Sequence, residues 1–464
     1  SWTETPFPGP VSADMEIFRK RNRNLSLPGW QSHQSLFQKT RDRKTRFRKG
    51  IRLGIMVLVI LLGIYSLVEC FTRIADSGET TAKSETTAPP YEEPRKNDKQ
   101  VAQQLLQDTS LLNLKDASFQ VTRQDTTLRF DTSIDPSLQD YMLGKLDRKN
   151  SRHIALVALD PAAGEILMMA GYDKTNPDSN TCLDNTYPAA SIFKIITAAA
   201  AVEQGNLDSN AKLMFNGSQH TLYKTQLKDR KNRYTNYTTF QEAFAKSINP
   251  VFGKLGALRL EKDQLSACAE AFGFNSEIDF ELPLKASRFS ITDTPYHRAE
   301  IASGFNRQTT LSAVHAALLP AVIVNQGKQV EPTIVHRITD GSGQILYENQ
   351  PGPTRQVITP RASRVIYDLM EATIRYGTAK KAFKGFQKDP VLSKCNLGGK
   401  TGSIYNKKHD LRYDWFVGFA DLKNGDKKLA IAVVVAHEEF IGIRAAAYAR
   451  MAIKKYYTAF FKTG

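Results

Sequence analysis

The strongest apolar pattern in the catalytic half of the chain follows Pro188. Ile195, Ile196, Ala198, Ala199, Ala200, Ala201 and Val202 succeed one another with only Thr197 between them. A run with no polar stripe predicts a helix buried on all sides, opened after Pro188 and closed by Gly205. Ser191 and Lys194 are its main polar groups. At positions i and i+3 they share a face, so the amine reaches the hydroxyl. Strand patterns flank this helix at a distance. Ile154 to Leu159 is apolar, Asp160-Pro161-Ala162-Ala163-Gly164 is a turn, and Ile166 to Ala170 returns. Trp415 to Ala420 and Leu429 to Val435 predict a second hairpin around Asn424-Gly425. A last helix, about 444–461, carries Ala445, Ala449, Ala452 and Ile453 on one face. Strands at both ends with helices between predict an α/β (α+β) fold, with one sheet assembled from distant segments and helices packed on it.

A different pattern marks the amino-terminal part. Leu53 to Val68 is almost entirely apolar, and with Cys70 and Phe71 it nears the ~20 residues that cross a bilayer as a helix. Residues 51–71 are therefore expected to form one uncleaved transmembrane signal-anchor helix. A basic block from Arg41 to Lys49 precedes it directly, the charge asymmetry that keeps an amino terminus in the cytoplasm. A cleaved signal peptide would need a much shorter leading region and a small-x-small site. Residues 1–50, with Pro6, Pro8, Pro10 and Pro28, read as a largely disordered cytoplasmic tail whose basic end suits anionic lipid. Residues 72–117 read as a linker or stalk with a short amphipathic helix at Val101 to Leu112, and 118–464 as the folded catalytic domain. The expected location is the inner (plasma) membrane, single-pass, with the domain periplasmic or otherwise extracytoplasmic.

Charge changes this picture little. The 464 residues carry a formal net charge of +16. That alone suits nucleic acid or an anionic surface, but the densest basic block sits against the apolar span, so no nucleic-acid partner is expected. Lys228-Asp229-Arg230-Lys231-Asn232-Arg233 would lie outside the cell, as a solvated loop or a contact for anionic wall polymers. Four cysteines do not make a disulfide scaffold in a chain of this size.

The chemistry rests on three short motifs. A serine is a weak nucleophile until a base takes its proton, and a lysine in an apolar pocket loses proton affinity and becomes that base. Ser191 and Lys194 fit these roles, although Ser-x-x-Lys arises by chance roughly twice in a chain this long. Ser247-Ile248-Asn249, before Pro250, supplies a hydroxyl to relay a proton and an amide that both donates and accepts. A polar turn before proline would read the same way. Lys400-Thr401-Gly402-Ser403, after Gly398-Gly399, offers a charge and two hydroxyls suited to a carboxylate, beside glycines that let a substrate backbone lie along a strand edge. Lys462-Thr463-Gly464 repeats the triplet without preceding glycines or a following strand and is assigned no role.

In this order the three motifs resemble the penicillin-binding protein and serine β-lactamase superfamily. The resemblance covers about residues 130 to 455. Thr132 to Gln139, Ala302-Ser303-Gly304-Phe305-Asn306 with Asn325-Gln326-Gly327, Gly377-Thr378-Ala379 and Trp415-Phe416-Val417-Gly418 also match the family. It implies a transpeptidase/β-lactamase-like fold, an antiparallel sheet flanked by helices with an all-helical subdomain. The single expected span, without a second catalytic domain, resembles the monofunctional, class B-like, peptidoglycan D,D-transpeptidases. Only about 45 residues separate the span from the domain, so a large non-catalytic pedestal is not expected. The resemblance further implies that Ser191 attacks the penultimate D-Ala of a stem peptide, Lys194 takes its proton, and Ser247 passes a proton to the departing D-Ala. The backbone N–H groups of Ser191 and Ser403 would form the oxyanion hole. Asn249 would hold substrate and lysine, and Lys400, Thr401, Gly402 and Ser403 would bind the terminal carboxylate. β-Lactams would acylate the same serine. No metal or organic cofactor is implied, and the expected partner is a membrane peptidoglycan glycosyltransferase.

Other readings remain at this stage. A D,D-carboxypeptidase or endopeptidase uses the same residues with water as acceptor. A β-lactamase of the glutamate type needs a carboxylate near the serine, for which Glu281 is the candidate, although Glu281-Leu282-Pro283-Leu284 reads better as the Leu-Pro loop of transpeptidases. A non-catalytic β-lactam sensor is a further alternative. Cys182 and Cys395 are each a few residues from a motif and are equally well a bridge or two buried thiols. Cys268 reads as helix core, and His437 as a strand-end residue rather than a base.

Overall fold

The computed structural model describes residues 98–463 apart from 108, 124, 125 and 353. Its centre is a five-stranded sheet in the order Cys395–Tyr405, Arg412–Leu422, Lys428–His437, Ser151–Leu159, Ile166–Asp173. Every neighbouring pair is antiparallel. Both expected hairpins are present, each longer than its apolar run. The inner strands read as continuous apolar runs because both faces are covered. Ala155, Val157 and Leu159 point into one core, and Ile154, Leu156 and Ala158 into the other.

On the first face lie the helices Ala313–Val324 and Pro360–Arg375 and the central helix Lys194–Gly205. On the second lie Ala445–Thr463 and Pro136–Leu143. The last helix buries Ala445, Ala449, Ala452 and Ile453, the face its sequence marks. The central helix is buried from Lys194 to Val202. Its first turn, Ala190–Phe193, is a tighter 3₁₀ turn, so Ser191 sits on the lead-in and not on regular α-helix. Gly205 is its last helical residue. The left-handed closing position is Asn206 (φ 50°), whose N–H bonds the Ala201 carbonyl, because asparagine tolerates that conformation.

The helix expected at Val101 to Leu112 spans Lys99–Leu106, opened by the Asp98 side chain on the Gln100 N–H. It buries Ala102 and Leu106 in the larger core, and Lys99 Nζ donates to the Pro332 carbonyl at 3.0 Å. This segment, assigned to the linker on its sequence, packs against the domain. The first-expected domain residue, Ser118, opens a second antiparallel sheet with Thr126–Thr132, Val335–Thr339 and Ile345–Glu348. A two-stranded hairpin, Lys212–Asn216 with Thr235–Thr239, carries the basic run 228–233 in its loop. The tail and the span expected at 51–71 lie outside the described residues. Among the described residues no helix is long and apolar enough to cross a membrane.

Cys182, Cys268 and Cys395 are free thiols. Cys182 packs in the core on one face of the sheet and Cys395 in the core on the other, so the strands themselves keep them apart. The bridge considered from their spacing does not form. Cys268 faces the central helix, its Sγ donating to the Ile196 carbonyl. Burial pushes all three thiols up to about 12, far from the reactive thiolate range. Alkylation of the native protein should leave Cys182 and Cys395 unmodified, and alkylation after unfolding should label both without reductant. A disulfide-linked Cys182–Cys395 peptide on non-reducing mapping would contradict this arrangement.

Candidate active site

Ser191 is placed by three restraints on the turn that carries it. Trp415, buried in the sheet, donates its indole N–H to the Pro188 carbonyl at 2.9 Å. The Ala189 N–H bonds the Thr309 carbonyl at 2.9 Å. Ala190 adopts φ 48°, a conformation disfavoured for a residue with a Cβ, directly before the serine. The turn closes against Gly304 (φ +65°), where a Cβ would stand 2.0 Å from the Ala190 carbonyl oxygen and 3.0 Å from the Ser191 nitrogen. Only glycine fits there.

Lys194 lies one turn on and is fully buried. Its Nζ donates to Ser191 Oγ at 2.8 Å and to Asn249 Oδ1 at 2.8 Å, and makes a third, short bond to the Ser303 carbonyl. Ser247 also holds positive φ (56°), ahead of the short helix Asn249–Lys254. Asn249 is fixed at its other end, Nδ2 donating to the His220 carbonyl at 2.9 Å and its N–H to the Gln219 carbonyl at 2.7 Å. The third motif lies on Cys395–Tyr405, the edge strand of the sheet. Lys400 is fully buried and donates to Ser247 Oγ at 3.0 Å and to the Thr401 carbonyl at 2.9 Å. Thr401 and Thr378 share a hydrogen bond between hydroxyls. Ser403 Oγ accepts from Arg412 Nε at 2.9 Å.

All eight residues singled out on the sequence thus come to one place. Ser191, Ser247, Asn249, Thr401, Gly402 and Ser403 line a cleft of about 480 Å³. Lys194 and Lys400 stand behind its wall, each joined by its amine to a lining serine. Among the described residues neither lysine has a carboxylate in ion-pair range. Burial, and after it the positive Lys400, holds the Lys194 ammonium well below its ordinary range. Burial alone brings Lys400 down to about 7. Two amines without counter-charge in a dry site do not both stay protonated at neutral pH.

Several cleft residues escaped the sequence reading. Arg412 and Arg444 stand at the end near Ser403, with Phe305 and Tyr405 on the rim. Arg444 also clamps the buried Asp414 with two bonds, at 2.8 and 2.5 Å. Ser303 contributes a main-chain carbonyl, for which no side-chain signal exists. Arg412 pairs with Tyr405 across the hairpin, and carrying the strand that holds Trp415 three residues back would have found it. Glu281 does not line the cleft. It is fully buried and accepts from Thr333 Oγ1, Tyr347 Oη and the Ile334 N–H. His437 ends its strand, buried, 3.8 Å from Asp414 Oδ2. Among the described residues no group of three or more His, Cys, Asp or Glu is placed to hold a metal ion.

A serine hydrogen-bonded to a buried lysine, with a second serine–lysine pair across the cleft, is the site of a serine acyltransferase of the serine–lysine kind. Comparison with known proteins gives the family. The model of the penicillin binding protein transpeptidase domain matches residues 154–455, and the chain belongs to that family. The peptidoglycan D,D-transpeptidase PbpA of Mycolicibacterium smegmatis is 27% identical over 372 residues, which are 71% of this chain and 71% of that protein. Stage V sporulation protein D of Bacillus subtilis is 25% identical over 65% of this chain, which spans 49% of it. The D,D-transpeptidase domain of a peptidoglycan glycosyltransferase from Eggerthella lenta shares the fold with TM-score 0.59 at 22% identity, over 72% of this chain and 83% of that one. PBPA from Mycobacterium tuberculosis does so with TM-score 0.56 at 22% identity, over 71% and 81%.

Gly304→Ala should displace the Ser191 turn and lower the acylation rate by a penicillin about 100-fold, while circular dichroism stays native. A normal rate would show that the close approach does not position the nucleophile. The second-order acylation constant reports the free enzyme. Neutral Lys194 accumulates as pH rises through its depressed pKa, and charged Lys400 is lost as pH rises through about 7. The profile should therefore be a bell with its alkaline limb near 7. Lys400→Arg, which keeps its charge, should move that limb upward. A limb unmoved by this change would assign it to another group.

Proposed function

We propose that this chain is a peptidoglycan D,D-transpeptidase that cross-links stem peptides through an acyl-enzyme on Ser191. The observation that carries the proposal is the buried Lys194 amine, 2.8 Å from Ser191 Oγ and 2.8 Å from Asn249 Oδ1. In its neutral form this amine accepts the Ser191 proton as Oγ attacks the carbonyl of the penultimate D-Ala. The Ser191–carbonyl bond forms, the bond to the terminal D-Ala breaks, and the leaving amine takes a proton through Ser247, which Lys400 holds at 3.0 Å. Thr401 and Ser403, with the Lys400 charge behind them, bind the terminal carboxylate. An amine from a neighbouring stem then displaces Ser191 and forms the cross-link. β-Lactams present the same carbonyl and carboxylate and acylate the same oxygen.

The placement of Glu281, enclosed by Thr333, Tyr347 and Ile334, supports a transferase over a glutamate-dependent β-lactamase. The same proposal includes a single span at residues 51–71, a cytoplasmic tail and an extracytoplasmic domain in the inner membrane. It rests there on the apolar run and the basic block before it. It also includes a membrane peptidoglycan glycosyltransferase as partner, because cross-linking needs the strands that such a polymerase makes.

Fluorescent penicillin should form a stable covalent band with the wild type and none with Ser191→Ala. With a pentapeptide donor and an amine acceptor, the wild type should release D-Ala and join the two peptides. Rapid turnover of the penicillin label would make the protein a β-lactamase. Release of D-Ala without joining would make it a carboxypeptidase.

A further inference from the structure

A second groove, of about 500 Å³, lies on the hairpin between the central helix and the Ser247 motif. Its lining combines exposed aromatic faces, amide and hydroxyl groups, and positive charge. Tyr223 and Tyr234 line it and are 63% and 62% exposed. Tyrosines so exposed on a concave wall gain nothing from the protein's own core, and the Tyr223 ring, with the Tyr234 face left open by the Arg233 guanidinium 4.7 Å from its centroid, is a plate for another molecule's C–H surface. Asn216 and Asn232 stand beside them. Lys228 and Arg230 complete the wall, and among the described residues neither is in an ion pair. Asp229, the one acidic residue of the run, is taken by Lys254 at 3.3 Å.

The groove adjoins the catalytic cleft through a very thin wall. Ser218 and Thr221 face the groove, whereas His220, between them, faces the cleft. The carbonyls of Gln219 and His220 are the two that hold Asn249. Gln226 stiffens this wall from behind, donating to the Asn216 and Ser218 carbonyls and accepting from Thr221. A polymer whose side branch enters the cleft at Ser191 therefore passes the groove at the next available surface.

Resting on the transpeptidase reading, we propose that this groove binds the sugar strand of the substrate. The strand is acetylated amino sugar, with rings stacked on Tyr223 and Tyr234, an acetamido group on Asn232, and sugar hydroxyls and acetamido carbonyls accepting from Lys228 and Arg230; Asn216 stays with its own partners, the Arg230 carbonyl and the Thr235 hydroxyl. The chemistry of the lining selects this occupant. Stacking faces and amides match sugar rings and acetamides. A phosphate polymer needs a line of cations, and the wall supplies two. The groove makes the enzyme a reader of the glycan as well as of the stem peptide, and it accounts for a basic, tyrosine-bearing hairpin that the acyl-transfer chemistry does not use.

The test uses the full chain and tetrasaccharides of alternating N-acetylglucosamine and N-acetylmuramic acid whose lactyl carboxyls are capped as simple amides, as they are in the stem-bearing strand, titrated by calorimetry, with glycerol-phosphate oligomers in parallel. Tetrasaccharide should bind the wild type, and Tyr234→Ala and Lys228→Glu/Arg230→Glu should each weaken it about tenfold. Both variants should keep the wild-type rate of acylation by penicillin, which is too small to reach the groove and so also reports that they fold. A wild type that is acylated normally but binds no tetrasaccharide, or binds only the glycerol phosphate, would overturn the groove assignment and leave the transpeptidase standing. Tetrasaccharide affinity unchanged in both variants would also overturn it. A wild type that binds tetrasaccharide but is never acylated would instead overturn the transpeptidase reading.

Discussion

Two lysine amines are buried at one cleft, no carboxylate among the described residues balances them, and the rest of the site is arranged around that cost. An ammonium taken out of water loses several kcal/mol of hydration unless a counter-ion or a full set of acceptors replaces it. Lys194 has three acceptors, Ser191 Oγ, Asn249 Oδ1 and the Ser303 carbonyl, and no negative charge. Lys400, with Ser247 Oγ and the Thr401 carbonyl, is in the same position. For Lys194 the neutral form is the cheaper one, and the positive charge of Lys400 makes its ammonium dearer still. This turns an ordinary lysine into a base matched to a serine at neutral pH. A buried pair of this kind destabilises the fold, which is the usual relation between a reactive site and the stability of its scaffold.

The fold meets this cost by being rigid where the amines need partners. Ser191 hangs from a turn locked by Trp415, Thr309 and Gly304. Ala190 and Ser247 both hold left-handed backbone, so one serine directly follows a strained residue and the other is itself strained, and surrounding packing maintains both. The edge strand bearing Lys400 is fixed by its full-length pairing with Arg412–Leu422, which also brings Arg412 onto Ser403. Sheet register, helix lead-in and the loop at Gln219–His220 thereby converge on one cleft.

Much of this was legible in the chain. The apolar run after Pro188, the two hairpins and the last helix announce themselves because burial on both sheet faces leaves continuous apolar segments. The three motifs were legible because their side chains carry the chemistry. What escaped is what main-chain atoms and tertiary contact decide. The Ser303 carbonyl has no signature in residue type. The 3₁₀ lead-in at Ser191 arises from the Gly304 approach, 113 residues away. Cys182 and Cys395 look close when measured from their motifs, yet the turn carrying Cys182 packs into the core on one face of the sheet and Cys395 into the core on the other. The helix at Lys99 looked like linker because its polar content is high, and tertiary contacts, the packing of Ala102 and Leu106 and the bonds of Lys99 and Gln103 to main-chain carbonyls, tie it to the domain.

Activation of Ser191 depends on the charge of Lys194. Its state can be read directly by carbon NMR of protein carrying 13Cε-lysine, with the Lys194 resonance assigned through Lys194→Arg. A resonance that titrates far below the ordinary lysine range, and that moves upward when Lys400→Met removes the neighbouring charge, is the predicted result. A Lys194 resonance that remains that of an ammonium up to the ordinary lysine pKa would contradict it, and the base that activates Ser191 would have to be another group.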